Sequence, residues 1–161
     1  MTAEIVFLKR AFAVIESVDI AQYDLRLDRS SAHHVPFALP TEPNSVAEAP
    51  DVDVLWIGPD EWLVVTGPEG IDLELDGVDH SWVDVSANRV VLDLAGDRTM
   101  PMLATGCSID LHPRFWRARM CAQTLLGKAP VILQHRGDTQ RLFVRPSYLD
   151  YLVEWLRDAV E

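Results

Sequence analysis

The chain has 161 residues and a mass of 18.1 kDa, the size of one compact domain, which excludes a large multidomain enzyme. Its 48% hydrophobic content supplies a core that needs no disulfide staples; Cys107 and Cys121 read as reduced thiols in a cytoplasmic setting, because the opening MTAEIVFLKR lacks an apolar leader. A net charge of -11 repels phosphate backbones and anionic lipid, and no apolar run reaches the ~18 residues of a membrane span, so neither nucleic acid nor membrane is an expected partner. The charge is lopsided: residues 1–80 hold 4 basic and 16 acidic groups, whereas residues 81–161 hold 10 and 9. Arginine outnumbers lysine twelve to two, and guanidinium groups suit flat, weakly hydrated contact surfaces, a hint of a protein partner.

In chain order, Ile5 to Val18 is apolar and β-branched apart from Lys9, Arg10 and Glu16, and fits a strand or a short helix. Ile20 to Asp28 alternates apolar and polar residues, which predicts a half-buried strand. Four prolines between Arg29 and Pro50 leave room for one short helical turn before an extended surface loop. Val52 to Ile57 and Trp62 to Thr66, separated by Gly58, Pro59, Asp60 and Glu61, predict a hairpin. Gly67 to His80 is acidic, with only Ile71, Leu73 and Leu75 alternating in it, and reads as a loop or edge ribbon. Trp82 to Val85 and Arg89 to Ala95 read as a strand pair turning at Ser86, Ala87 and Asn88. Asp97 or Thr99 can cap a short helix that carries Pro101 in its first turn and stops at Gly106. Ser108 to Arg117 is irregular, and strands follow near Cys121 to Leu126, Val131 to His135 and Gln140 to Arg145. Last, Ser147 and Asp150 offer a capping box to an amphipathic helix whose apolar face holds Tyr148, Tyr151, Leu152, Trp155, Leu156 and Ala159. Short strands with few helices and no repeated βαβ unit predict an α+β domain with helices on one face of antiparallel sheet.

Side chains with chemical potential are sparse. The histidines, His33, His34, His80, His112 and His135, form no HExxH, the two cysteines form no CxxC, and neither a dinucleotide fingerprint nor a phosphate loop is present. Cys107 or Cys121 with His112 is a thiol and base pair without an activating context. Asp60 and Glu61 read as turn formers, and Asp84 as an acceptor for backbone or for a ligand. Arg114, Arg117 and Arg119 surround Phe115 and Trp116, a composition typical of interface hot spots and equally compatible with a solvated loop. Residues alone thus name no catalytic, cofactor or metal site.

Several stretches resemble a known family: AQYDLRLD from Ala21, LPTEPNSV from Leu39, WIGPDEWLVV from Trp56, VDVSANRVVLDLAG from Val83, GCSIDLHPRFW from Gly106, CAQTLLGKAPVIL from Cys121 and LFVRPSYLDYLVEWLRDA from Leu142. Together, over residues 20–160 of a single domain, they resemble the gamma subunit of heterotetrameric sarcosine oxidase. The resemblance implies antiparallel sheets with ferredoxin-like βαββαβ elements, as in the folate-binding aminomethyltransferase-like domain. It also implies a non-catalytic accessory subunit of a flavoenzyme that demethylates sarcosine to glycine and passes the one-carbon unit to tetrahydrofolate. The alpha and beta subunits would be the partners and would carry FAD, FMN, NAD and tetrahydrofolate, with none bound by this chain and with Arg114, Phe115, Trp116, Arg117 and Arg119 at the partner interface. Only twelve residues separate Arg26 from Leu39, and seventeen separate Val65 from Val83, where the family places a fuller helix. An apolar sheet face left uncovered by those losses would need a partner subunit or a second copy. The alternative is a stand-alone or homo-oligomeric module holding a folate-like or other small anion near Arg89, Arg98 or Arg114.

Overall fold

The structure is a computed structural model that describes residues 6–10 and 13–160. Its strands are β1 (Val6–Arg10), β2 (Ala13–Ser17), β3 (Ala21–Leu27), β4 (Val46–Ala49), β5 (Val52–Gly58), β6 (Glu61–Thr66), β7 (His80–Asp84), β8 (Val90–Ala95), β9 (Met120–Leu126), β10 (Ala129–Arg136) and β11 (Thr139–Val144). Two helices, α1 (Thr99–Ala104) and α2 (Pro146–Val160), complete the set. The chain divides into two compact units, one from Ile20 to Ala87 and the other from the stretch up to Asp19 together with Asn88 onward. No helix among the described residues is long and apolar enough to cross a membrane.

The Ile20–Ala87 unit is an antiparallel sheet in the order β4-β5-β6-β3-β7. Within it β5-β6-β3-β7 is the ferredoxin-like strand order, and both of its helix positions are cut down. Between β3 and β5 helical structure is limited to a 3-10 turn, Arg29–His34, started by the Asp28 carboxylate accepting from the Ser30 backbone N–H. Val35 stops it because a residue before proline is driven to extended backbone, and its φ and ψ are -82° and 136°. Between β6 and β7 no helix forms.

The face those helices would cover, with Leu25, Leu27, Val54, Trp62 and Val64, is not left open. Val35, Leu73 and Leu75 are buried against it, and Phe37, Leu39, Ile71 and Val78 pack around them. In the acidic stretch after β6, every second residue is a leucine or isoleucine turned inward while Asp72, Glu74 and Asp76 stay exposed. The Trp62 indole N–H donates to the Pro40 carbonyl at 2.9 Å. Tyr23 stacks on Trp82 with ring centroids 4.4 Å apart, and its hydroxyl accepts from the Ile71 N–H. The expectation that lost helices expose an apolar face needing a partner is therefore corrected: the chain's own loops cover it.

The second unit is a six-stranded antiparallel sheet in the order β1-β2-β8-β11-β10-β9. Residues Leu92, Leu94, Val131, Leu133, Leu142 and Val144 pack with Met102 and Leu103 of α1 and Leu152 and Leu156 of α2. The β-branched N-terminal stretch forms the antiparallel pair β1–β2, its strand alternative realised; Ile5, Ala11 and Phe12 lie outside the described residues. Asp93 and Arg141, opposite each other on β8 and β11, form a bidentate ion pair with both N···O distances at 2.7 Å.

Four local expectations are corrected. Trp82–Val85 and Arg89–Ala95 do not pair: β7 bonds to β3, and β8 to β2 and β11. The segment between them is held to β3, Val85 donating to the Gln22 carbonyl and the Ser86 hydroxyl accepting from the Gln22 N–H. The proline-rich stretch contains a strand, β4, which turns directly into β5. Helix α1 is capped at Arg98 with no side-chain bond, so neither Asp97 nor Thr99 is its cap. Helix α2 starts on Pro146, whose missing N–H costs nothing in a first turn, which places Ser147 inside the helix rather than at a capping box.

Glycines close the α2 contact. A Cβ on Gly106 would run into Trp155 Cζ2, and one on Gly127, with φ of +57°, would meet the Tyr151 hydroxyl at 2.5 Å. Gly127 N–H donates to the Gly106 carbonyl, and Lys128 N–H to the Tyr151 hydroxyl. Gly106 thus follows α1 to admit an indole ring.

Candidate partner interface

The loop before β9 is assembled from short-range bonds around His112. The Asp110 carboxylate accepts from the His112 N–H at 2.8 Å, and the His112 carbonyl accepts from the N–H groups of both Phe115 and Trp116. His112 Nδ1 accepts from the Arg114 N–H at 3.2 Å. This tight turn sends neighbouring side chains in opposite directions. Phe115 is 60% exposed, whereas Trp116 is 3% exposed and belongs to the core. Its indole N–H donates to Gln140 Oε1 at 2.8 Å, and its ring lies 6.0 Å from that of His135. Trp116 is thus corrected from a surface aromatic to a core residue, since a buried indole finds a partner for its N–H.

Arg114, Arg117 and Arg119 are exposed around Phe115. Arg119 takes a φ of 64° and donates its N–H to the His135 carbonyl, so the backbone turns sharply into β9 while the guanidinium stays on the surface. The result is one exposed aromatic ring on a loop that also carries three exposed arginines. Full burial of such a ring contributes roughly 1.5–3 kcal/mol, which is the scale of a docking anchor.

Other sequence candidates fall into structural roles. Cys121 is buried and Cys107 half-buried, both as free thiols. Asp84 accepts from the Ser86 N–H, and hydrogen bonds from Ser86, side chain first, hold its carboxyl below the ordinary carboxylate range. Ser30 lowers Asp28 in the same way. Glu61 binds the Arg26 guanidinium and raises its pKa, mainly through their hydrogen bond, so Glu61 serves a cross-strand ion pair. Among the described residues no three His, Cys, Asp or Glu converge as a metal site. Of the three arginines considered for a small anion, Arg89 lines a groove of about 520 Å3. Arg98 sits at the α1 cap and Arg114 on the loop above. Arg145 lines the same groove, and sequence reading missed it. Its position opposite Arg89 depends on pairing between strands some fifty residues apart, for which the local sequence holds no signal.

Residues 28–161 match the model of the sarcosine oxidase, gamma subunit family. A sarcosine oxidase subunit gamma from Arthrobacter sp is 36% identical over 86% of this chain and 75% of its own length. Its counterpart from Corynebacterium sp. (strain U-96) is 35% identical over 94% of this chain and 80% of its own. Among solved structures, a chain of the heterotetrameric sarcosine oxidase from Corynebacterium sp. U-96, in complex with pyrrole 2-carboxylate, superposes with a TM-score of 0.81 at 28% identity. That match covers 98% of this chain and 87% of the other. The glycine cleavage system aminomethyltransferase T from Bartonella henselae shares the fold at a TM-score of 0.68 and 14% identity, over 91% of this chain and 46% of its own. The antiparallel α+β, aminomethyltransferase-like architecture expected from the sequence is therefore the one present. On both sequence and fold, this chain belongs to the sarcosine oxidase gamma subunit family.

Proposed function

We propose that the chain is a non-catalytic accessory subunit of a heterotetrameric, sarcosine oxidase-like flavoenzyme. The observation that carries this reading is the likeness to a chain of a heterotetrameric sarcosine oxidase over 98% of the present chain. Its partners are the alpha and beta subunits, which hold FAD, FMN, NAD and tetrahydrofolate. The complex oxidises sarcosine to glycine and passes the one-carbon unit to tetrahydrofolate. This chain supplies rigid docking surface, and binding that selects its folded state stabilises the assembly in turn.

Arg114, Phe115, Arg117 and Arg119 form part of the partner contact in this reading. An exposed phenylalanine among guanidiniums is the residue pairing found at the energetic centre of interfaces, and the ionisable groups with shifted pKa serve turns and an ion pair. The test is purification of the tagged chain from its own cells. Co-elution of bound flavin and of sarcosine-dependent peroxide formation is expected. Elution of the chain without flavin and without that activity would overturn the proposal.

A further inference from the structure

The sequence holds a single Asp-Gly pair, Asp76-Gly77, and the fold sets it in an exposed turn. The Val78 N–H donates to the Leu75 carbonyl at 3.3 Å and closes that turn, so Asp76 and Gly77 are its central residues. Gly77 has a φ of +71°, the left-handed backbone that a turn accepts at its third residue and that glycine adopts without strain. Both residues are exposed, and a Cβ on Gly77 would meet nothing within 4 Å. Among the described residues the Gly77 N–H donates to no acceptor, and the Asp76 carboxylate enters no hydrogen bond or ion pair. An amide nitrogen and the carboxyl carbon within its reach are thus unshielded and unengaged.

We propose that Asp76 is a site of spontaneous isoaspartate formation, and that the isomer loosens the loop that seals the five-stranded sheet. The Gly77 amide nitrogen attacks Cγ of the protonated Asp76 carboxyl. A C–N bond forms, a Cγ–O bond breaks, and the hydroxyl leaves with the amide proton as water. Water then opens the five-membered succinimide. Opening at Cγ restores aspartate, whereas opening at the main-chain carbonyl leaves Gly77 joined through Cβ and Cγ, with a free α-carboxylate. Nothing is oxidised or reduced, and the water lost is regained. Glycine suits the attack because no side chain crowds the ring, whereas the two asparagines, Asn44 and Asn88, precede Ser45 and Arg89. The isomer adds one atom to the main chain between Leu75 and Val78. Their hydrogen bond and the inward packing of Leu73, Leu75 and Val78 then no longer fit together, because a close-packed core has no slack to absorb the extra length. The site stands independently of the assembly reading.

The test uses the full-length chain kept warm at neutral pH, folded in one sample and unfolded in guanidinium in another. Isoaspartate is read by methyl transfer from radiolabelled S-adenosylmethionine with a protein L-isoaspartate methyltransferase, followed by peptide mapping. The folded sample should gain label with time, at a rate near that of the unfolded one, in the peptide that holds Asp76. Asp76→Glu, which would need a six-membered ring, should remove that label while keeping the charge and the fold. The isomerised chain, separated by ion exchange, should unfold at a lower guanidinium midpoint than fresh chain. Label confined to the unfolded sample, label unchanged in Asp76→Glu, or an isomerised chain as stable as the fresh one would overturn the proposal.

Discussion

Replacing Trp116 by alanine removes an indole that is 3% exposed and packed in the core of the larger sheet unit. Loss of a buried tryptophan costs about 3–5 kcal/mol. The substitution also strands Gln140 Oε1, which accepts the indole N–H and belongs to a residue only 4% exposed; an unpaired buried acceptor adds roughly 1–3 kcal/mol. At about 2–4 °C per kcal/mol for a chain of this size, the packing loss alone lowers the melting temperature by roughly 6–20 °C. Trp116→Phe helps to separate the two parts, since it keeps most of the ring volume while removing the N–H donor to Gln140. The assay is thermal unfolding of the isolated chain followed by circular dichroism, with Phe115→Ala as the neighbouring control. Phe115→Ala should leave the melting temperature within about 1 °C, because surface changes rarely exceed ±0.5 kcal/mol, while weakening capture of the partner subunits. If Trp116→Ala left the melting temperature unmoved and abolished capture, the inward placement of this ring and the account of the loop would both be wrong.

Gly106→Ala should destabilise by about 1–3 kcal/mol, the usual range for overpacking, because the new methyl runs into the Trp155 ring. Combining it with Trp155→Leu should give a denaturation midpoint above the sum of the single effects, and strict additivity would refute the contact. Leu73→Ser should cost about 2 kcal/mol or more while Glu74→Ser is near neutral; equal effects in urea unfolding would mean that the loop does not seal the smaller sheet. Asp93→Ala leaves Arg141 buried without its bidentate partner and should cost about 3–5 kcal/mol, most of it recovered in Asp93→Ala with Arg141→Met; a double variant as unstable as the single would contradict this. Asp28 and Asp84 have depressed folded-state pKa values, so their contribution is present above the ordinary carboxylate value near ~4 and is lost as pH falls through the lower folded value. The unfolded chain takes up those protons first. In urea titrations from pH 5 downward, Asp28→Asn should flatten the fall in stability, and an unchanged slope would refute the assignment.

Where neighbouring residues decide an element, the sequence was sufficient. Gly58 through Glu61 between two apolar runs could only turn, and β5 and β6 formed as a hairpin. The apolar face of α2 likewise follows from its spacing, with Leu152 and Leu156 fully buried. What escaped depends on distant partners. The apolar runs on either side of Ser86 looked like a hairpin, yet β7 and β8 each had a better-matched ladder elsewhere in the chain. Burial of Leu73 and Leu75 was visible as alternation, but nothing local told that they would take the place of a helix. The arginine and aromatic cluster before β9 is legible in the sequence, but not that a tight turn at His112 sends its two adjacent aromatic side chains in opposite directions. Trp116 carried one usable signal, an indole N–H that needs an acceptor when buried.

The native mass of the assembly that contains this chain, measured on material from its own cells, bears most directly on the claim that it works as a subunit. The account predicts a mass well above that of the lone chain, with the alpha and beta subunits in the same assembly, and dissociation of the flavin-bearing chains when Phe115 and the surrounding arginines are replaced together. A mass equal to that of the lone chain, or to a whole number of copies of it, would contradict the account.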